Sequence, residues 1–225
     1  SAALEGTREK ISKLLGLKNK NIIFTSGATE SNNLALLGLA RNFYQKEGKR
    51  GNIITLKTEH YAVLEPIRQL KKEGFTVTEI YPGKDGLISD KEFLKVLKKD
   101  TFLVSLMVAN NEIGVIQPIE HISSICASKE IIFHTDAAQC LGYMPMQFLD
   151  GMANMITLSS HKIYGPKGIG LLIIDKDLSL NPLIYGGGQE SGLRAGTIPI
   201  PLIIGFAKAI ELGLKNQVNN FKKLS

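Results

Sequence analysis

The segment MITLSSHKIYGPKGIGLLII, residues 155–174, decides how the whole chain is read. It holds two apolar runs, Met155–Leu158 and Gly170–Ile174, separated by a polar stretch. Short continuous apolar runs suit strands covered on both faces. Gly165-Pro166-Lys167-Gly168 reads as a tight turn, which makes the second run antiparallel to its neighbours. Working outward, further strand-like runs fall at Asn21–Thr25, Asn52–Lys57, Thr76–Tyr81, Phe102–Val108 and Ile131–His134. Helical periodicity lies between them, at about Ala2–Leu15, Thr29–Glu47, Val63–Lys72, Asp90–Lys98 and Ile119–Ser128, and finally at Pro201–Lys223. Strand–helix alternation of this kind predicts an α/β fold: a mainly parallel seven-stranded sheet with one antiparallel strand and helices on both faces.

Composition narrows the function. The chain has 225 residues, 44% of them hydrophobic, which excludes an intrinsically disordered chain and suffices for a full core. With only 2 Cys there is no disulfide framework, and a reducing, cytoplasmic setting is expected. The net charge of +6 is spread over scattered lysines without interleaved aromatics, so no nucleic-acid partner is expected. No apolar run is long enough to span a bilayer, so no membrane association is expected either. The His and Cys residues show no metal-ligand spacing, and no metal is expected.

Four motifs carry chemistry. Thr25-Ser26-Gly27-Ala28-Thr29-Glu30-Ser31 passes from a strand through a glycine turn into a helix, a place for an anion such as phosphate. The same residues also make an ordinary helix N-cap. His134-Thr135-Asp136-Ala137-Ala138-Gln139 sets a carboxylate at the end of a strand, where α/β proteins place their ligand crevice. Asp136 there is suited to a metal, a ribose, a protonated ring nitrogen or simple capping. Ser159-Ser160-His161-Lys162 delivers hydroxyls, an imidazole and an amine able to attack a carbonyl, with Lys167 as the more solvent-facing lysine. Finally, Gly186-Gly187-Gly188-Gln189-Glu190-Ser191-Gly192-Leu193-Arg194-Ala195-Gly196-Thr197 is a glycine-dense loop in which Arg194 and Thr197 are suitable anion ligands. His60 and Asn111 end two further strands, while Cys126 reads as a core residue. One ligand satisfies the set: a phosphate, a ring nitrogen seeking a carboxylate, and a carbonyl that lysine can capture. Pyridoxal phosphate has all three.

These stretches resemble the cysteine desulfurases of the NifS/IscS type, fold-type I pyridoxal phosphate enzymes. The resemblance runs in order through TSGATESNNLA (25–35), TEHYAVLEP (58–66), NNEIGVIQPI (110–119), HTDAAQ (134–139), SSHKIYGPKGIG (159–170) and GGGQESGLRAGT (186–197). It implies that Lys162 would hold the cofactor covalently and that Asp136 would pair with its ring nitrogen. His60 would stack on the ring and exchange protons. Gln139 would reach the ring hydroxyl, and Asn111 would lie close to ring and substrate. Ala28, Thr29, Ser159 and His161 would bind phosphate, and Thr197 would reach the phosphate of a partner subunit in a homodimer. The implied substrate is L-cysteine, converted to alanine while a protein cysteine takes the sulfur as a persulfide for sulfur-acceptor or scaffold proteins in iron–sulfur cluster assembly. The resemblance further implies that residues 1–225 are the cofactor-binding large domain, cut at both ends and lacking the small domain with the nucleophilic cysteine, hence inactive alone. A selenocysteine lyase, an aminotransferase and a non-catalytic dimerisation or scaffold module are the competing readings.

Overall fold

The structure is a computed structural model that describes residues 2–17 and 20–218. Among the described residues, a seven-stranded sheet runs in the order β1-β7-β6-β5-β4-β2-β3. Its strands are β1 (Lys20–Thr25), β2 (Asn52–Leu56), β3 (Thr76–Ile80), β4 (Thr101–Ser105), β5 (Ile132–Asp136), β6 (Met155–Ser159) and β7 (Gly170–Asp175). Only β7 is antiparallel, to both β1 and β6. The expected single reversed strand is therefore present, and Lys167–Gly168 of the Gly-Pro segment lie in a turn, though the connection is longer than that segment alone. The chain leaves β6 through a 3-10 turn at Ser160–Ile163 and swings out at Tyr164, whose φ is 62°. Only then does it enter Gly165–Gly168.

Side chains alternate across most of the sheet, as the two-residue period of a strand requires. The exception is Phe102 and Leu103 of β4, which share one layer beside a register irregularity with β2. Ile22, Phe24, Ile54, Leu56, Val104, Phe133, Ile156, Leu158, Leu171 and Ile173 feed one core layer. Ile23, Ile53, Leu103, Met155, Leu172 and Ile174 feed the other. Every residue of β2, β4 and β6 is buried, which is why their sequences are mostly apolar rather than alternating apolar and polar.

Helices cover both faces. The first layer holds residues of α1 (Ala2–Leu15), α5 (Asp90–Val96), α6 (Ile119–Ser128) and α7 (Ile200–Lys215). The expected extension of the last helix to Lys223 lies partly outside the described residues. The second layer holds α4 (Tyr61–Lys72) and a long helix in three parts: α2 (Ala28–Asn33), a π segment (Leu34–Gly38) and α3 (Leu39–Glu47). In the π segment the Gly38 carbonyl accepts the Asn181 amide at 3.0 Å. A Cβ at Gly38 would stand 2.7 Å from the Asn181 carbonyl, so only glycine allows that approach. The long helix ends at Gly48 in the left-handed conformation, φ 67°.

The parallel strands end at one edge of the sheet, and β7 begins there because it runs backwards. Gly170 pairs with Ser159 on one side and Thr25 on the other. The β1–α2 turn, the β5 terminus and the β6 terminus are thereby brought together.

Candidate functional site

A cavity of about 550 Å³ lies at this edge. Its walls include Gly27, Ala28 and Thr29 from the β1–α2 turn, His60 from the end of β2 and Asn111 after β4. Asp136 and Gln139 come from the end of β5, with Ser159, His161 and Lys162 from the end of β6. Of the ten residues to which the resemblance gives a role, nine (Ala28, Thr29, His60, Asn111, Asp136, Gln139, Ser159, His161 and Lys162) line this one space. Thr197, the tenth, is exposed and does not line it.

Each wall has a local cause. Gly27 has φ 154°, a conformation that favours glycine, and a Cβ there would meet no protein atom within 4 Å. Gly170 lets the turn approach: a Cβ on it would stand 2.6 Å from Gly27 Cα. Thr25 Oγ1 and Ser31 Oγ, 2.7 Å apart, tie the two ends of the turn. His60 caps α4, its Nδ1 accepting the Ala62 amide at 3.0 Å. That bond leaves Nε2 as the protonated nitrogen of the neutral ring. Asn110 fixes the loop that carries Asn111, donating to the Thr58 carbonyl at 2.7 Å and accepting the Glu112 and Ile113 amides.

Asp136 is the buried charge of the site. Its Oδ1 accepts the Ala138 amide at 3.0 Å and its Oδ2 accepts Asn32 Nδ2 at 2.7 Å. Burial raises its pKa, while these two bonds and the positive charge of Lys162 pull it back. Ser159 Oγ and His161 Nδ1 are hydrogen-bonded at 3.0 Å. Desolvation lowers the His161 pKa, and Lys162 and Lys167 lower it further. His134, next to the motif aspartate, is a core residue between Ser105 and Thr157, and burial pushes it down to about 3. It is neutral at pH 7 and points at no ligand.

Several residues of the site were not singled out in sequence. Asn32 is fully buried behind Asp136, and its Oδ1 has no partner among the described residues. Glu59 is buried beside His60; its Oε1 accepts the Met107 amide at 2.7 Å and its Oε2 has no partner among the described residues. Burial raises its pKa well above the usual carboxylate range, with the Asp136 charge adding to the effect. Lys167, expected to face solvent, is exposed and also lines the cavity beside Lys162. Arg194 departs from the sequence expectation of a free anion ligand. It is not among the cavity walls, and its guanidinium is engaged with Glu30, Nε to Oε1 at 2.9 Å.

The donor set suits pyridoxal phosphate. A primary amine and a buried carboxylate face one space, and a glycine turn with free amides, two hydroxyls and an imidazole borders it. The open space above Gly27 is the kind a bound anion fills. Nothing in the site suits a metal: among the described residues, no group of three His, Cys, Asp or Glu could hold one.

Fold and site together define the α/β architecture of a pyridoxal phosphate-dependent enzyme. The chain belongs to the aminotransferase class-V family, which it matches over residues 1–225 and whose members use this cofactor. It is 44% identical to the cysteine desulfurase IscS of Histophilus somni, over 99% of this chain and 55% of that protein. Among solved structures, a NifS-like protein superposes with a TM-score of 0.91 at 41% identity, over 96% of this chain and 59% of the other. A structure described as SspA in complex with cysteine gives 0.86 at 43% identity, over 93% and 60%. The chain thus spans about half the length of the curated relatives it matches.

Proposed function

We propose that the chain is the cofactor-binding large domain of a pyridoxal phosphate-dependent cysteine desulfurase. The observation that carries this reading is the convergence of Lys162, Asp136 and the Gly27–Thr29 turn on one cavity. The likeness to cysteine desulfurases, and to the structure described as SspA in complex with cysteine, supports L-cysteine as the substrate. In the overall reaction the Cβ–S bond of cysteine breaks. A protein thiol takes the sulfur as a persulfide, and the carbon takes a proton to leave alanine.

When bound, pyridoxal phosphate supplies an electrophilic carbonyl and an electron-withdrawing ring. Lys162 would hold the carbonyl end through its amine. Asp136 would keep a proton on the ring nitrogen, its charge steadied by Asn32 and the Ala138 amide. Gln139 would hydrogen-bond the ring hydroxyl, and Asn111 would orient ring and substrate. His60 would stack on the ring and move a proton at Nε2, the nitrogen its capping bond leaves available. Ala28, Thr29, Ser159 and His161 would hold the phosphate, and Thr197 would serve the site of a second copy in a homodimer.

The sulfur-accepting thiol is neither Cys126 nor Cys140. Both are fully buried, neither lines the cavity, and burial pushes the Cys126 thiol up to about 12 and the Cys140 thiol higher still. On this reading the chain by itself turns nothing over. In the whole protein the persulfide passes to a sulfur acceptor or scaffold for iron–sulfur assembly, in the cytoplasm, where two unpaired cysteines persist reduced.

The test is a titration of the purified chain with pyridoxal phosphate, followed by visible absorbance. A band of the lysine-bound cofactor appears in the wild type and is lost in Lys162→Ala. An equal band in both, or none in either, overturns the site assignment. Sulfide release from cysteine by this chain would overturn the exclusion of its two thiols.

A further inference from the structure

A glutamate in the wall of an anion site needs explaining. Glu30 lines the cavity next to Ala28 and Thr29, its side chain only 16% exposed. Its carboxylate would repel a phosphate held at that turn, and its Oε2 already takes the Ser26 amide at 2.8 Å. Arg194 answers the charge. Its Nε donates to Glu30 Oε1 at 2.9 Å, and Nη2 lies 3.5 Å from Oε2. Burial pushes the Glu30 carboxyl up, but the bonds from Arg194 and Ser26 outweigh it and hold the group below its ordinary value. The wall is therefore a closed ion pair rather than a free anion.

The loop that presents Arg194 is itself fixed. Its Glu190 side chain is 1% exposed and accepts both Arg8 nitrogens, at 2.8 and 3.0 Å, and the Phe24 amide at 2.7 Å. Glu190 and Ser191 both sit at positive φ, 49° and 57°, a conformation unfavourable for side-chain-bearing residues and held here by those bonds. Gln189 closes the loop by accepting the Gly196 amide at 3.1 Å. Arg194 is thus delivered to Glu30 from a braced support.

We propose that Arg194 is a positioning residue for phosphate binding, acting through Glu30: it neutralises the carboxylate beside the β1–α2 turn and holds it against the Ser26 amide, so that the turn accepts a phosphate monoester. This rests on the reading above that the turn receives the cofactor's phosphate. Arg194 does not touch that phosphate within this chain.

The test compares pyridoxal phosphate with pyridoxal, which lacks the phosphate, by absorbance titration, and inorganic phosphate by amide shifts of Gly27, Ala28 and Thr29. Arg194→Met is expected to weaken pyridoxal phosphate and inorganic phosphate by about tenfold, the scale of one like charge left near an anion, while changing pyridoxal by less than about twofold. Glu30→Gln combined with Arg194→Met removes the stranded charge but keeps an acceptor for Ser26, and restores phosphate affinity to within about threefold of wild type. Equal losses for pyridoxal phosphate and pyridoxal, or no recovery in the double variant, overturn the proposal. If Arg194→Met does not fold, Arg194→Lys decides: it keeps the charge and the phosphate preference, and a tenfold loss overturns the proposal. A wild type without the Lys162-dependent band refutes the cofactor reading instead. The phosphate titration then decides alone, loss with recovery sustaining the ion-pair role and no loss overturning it.

Discussion

Asn32 Nδ2 donates to Asp136 Oδ2 at 2.7 Å, joining the first turns of α2 to the end of β5 across 104 residues of sequence. Both residues are buried, and Asp136 carries the charge that the proposed chemistry requires. Asn32→Ala leaves that carboxylate one donor short in a desolvated place. The expected loss is about 1–3 kcal/mol of stability at pH 7, read from urea unfolding. Cofactor affinity falls with it. Unchanged unfolding would show that water replaces the amide.

Glu59 gives a dependence on pH. Burial raises its folded pKa far above 4.5, so the folded state keeps a proton that the unfolded chain releases. Below pH 4.5 both states are protonated and Glu59 costs nothing. As pH rises through 4.5 the unfolded state alone ionises, and stability is lost until the folded pKa is passed. Glu59→Gln keeps an acceptor for the Met107 amide and removes the titration. Its melting temperature should match the wild type near pH 4 and exceed it at pH 7 and above. A variant less stable than wild type at pH 7 would mean that the site uses an ionised Glu59.

Gly170 tests the approach of the turn to the sheet. A Cβ there would meet Gly27 Cα at 2.6 Å and the Leu158 carbonyl at 2.9 Å, both backbone atoms that cannot swing away. Gly170→Ala should cost about 3 kcal/mol in chemical denaturation and abolish phosphate binding at the turn. A soluble variant of native stability would show that the turn is not seated on β7.

The two thiols give the simplest measurement. Cys126 and Cys140 are buried with raised pKa values. Neither should react with an aromatic disulfide reagent in the native protein, and both should react once it is unfolded in guanidinium. Rapid reaction of either in the native state would reopen the question of the sulfur-accepting thiol.

Much of this was legible in the sequence. The apolar runs placed all seven strands to within a few residues, because most of these strands carry apolar side chains on both faces. Fully buried β2, β4 and β6 were the plainest. The nine cavity residues came from the family resemblance as well as from motif chemistry, which by itself pointed to the amine, the carboxylate and the glycine turn at strand ends, where α/β topology gathers ligand sites. The Gly-Pro segment does hold a turn, at Lys167–Gly168, but the 3-10 turn at Ser160–Ile163 that precedes it has no strong sequence pattern.

The sequence by itself determined the class of fold, the site's chemical inventory and the edge of the sheet on which it lies. Local periodicity and residue chemistry are sufficient for that. Only the tertiary structure decided which polar groups answer one another. Asn32 reads as a helix residue until Asp136 is packed against it, Glu59 as a surface glutamate until Met107 covers it, and Arg194 as an anion ligand until Glu30 occupies its guanidinium. The physical reason is that burial and charge compensation depend on distance in space. The partners here are separated by 104, 48 and 164 positions in the chain, which no local pattern records.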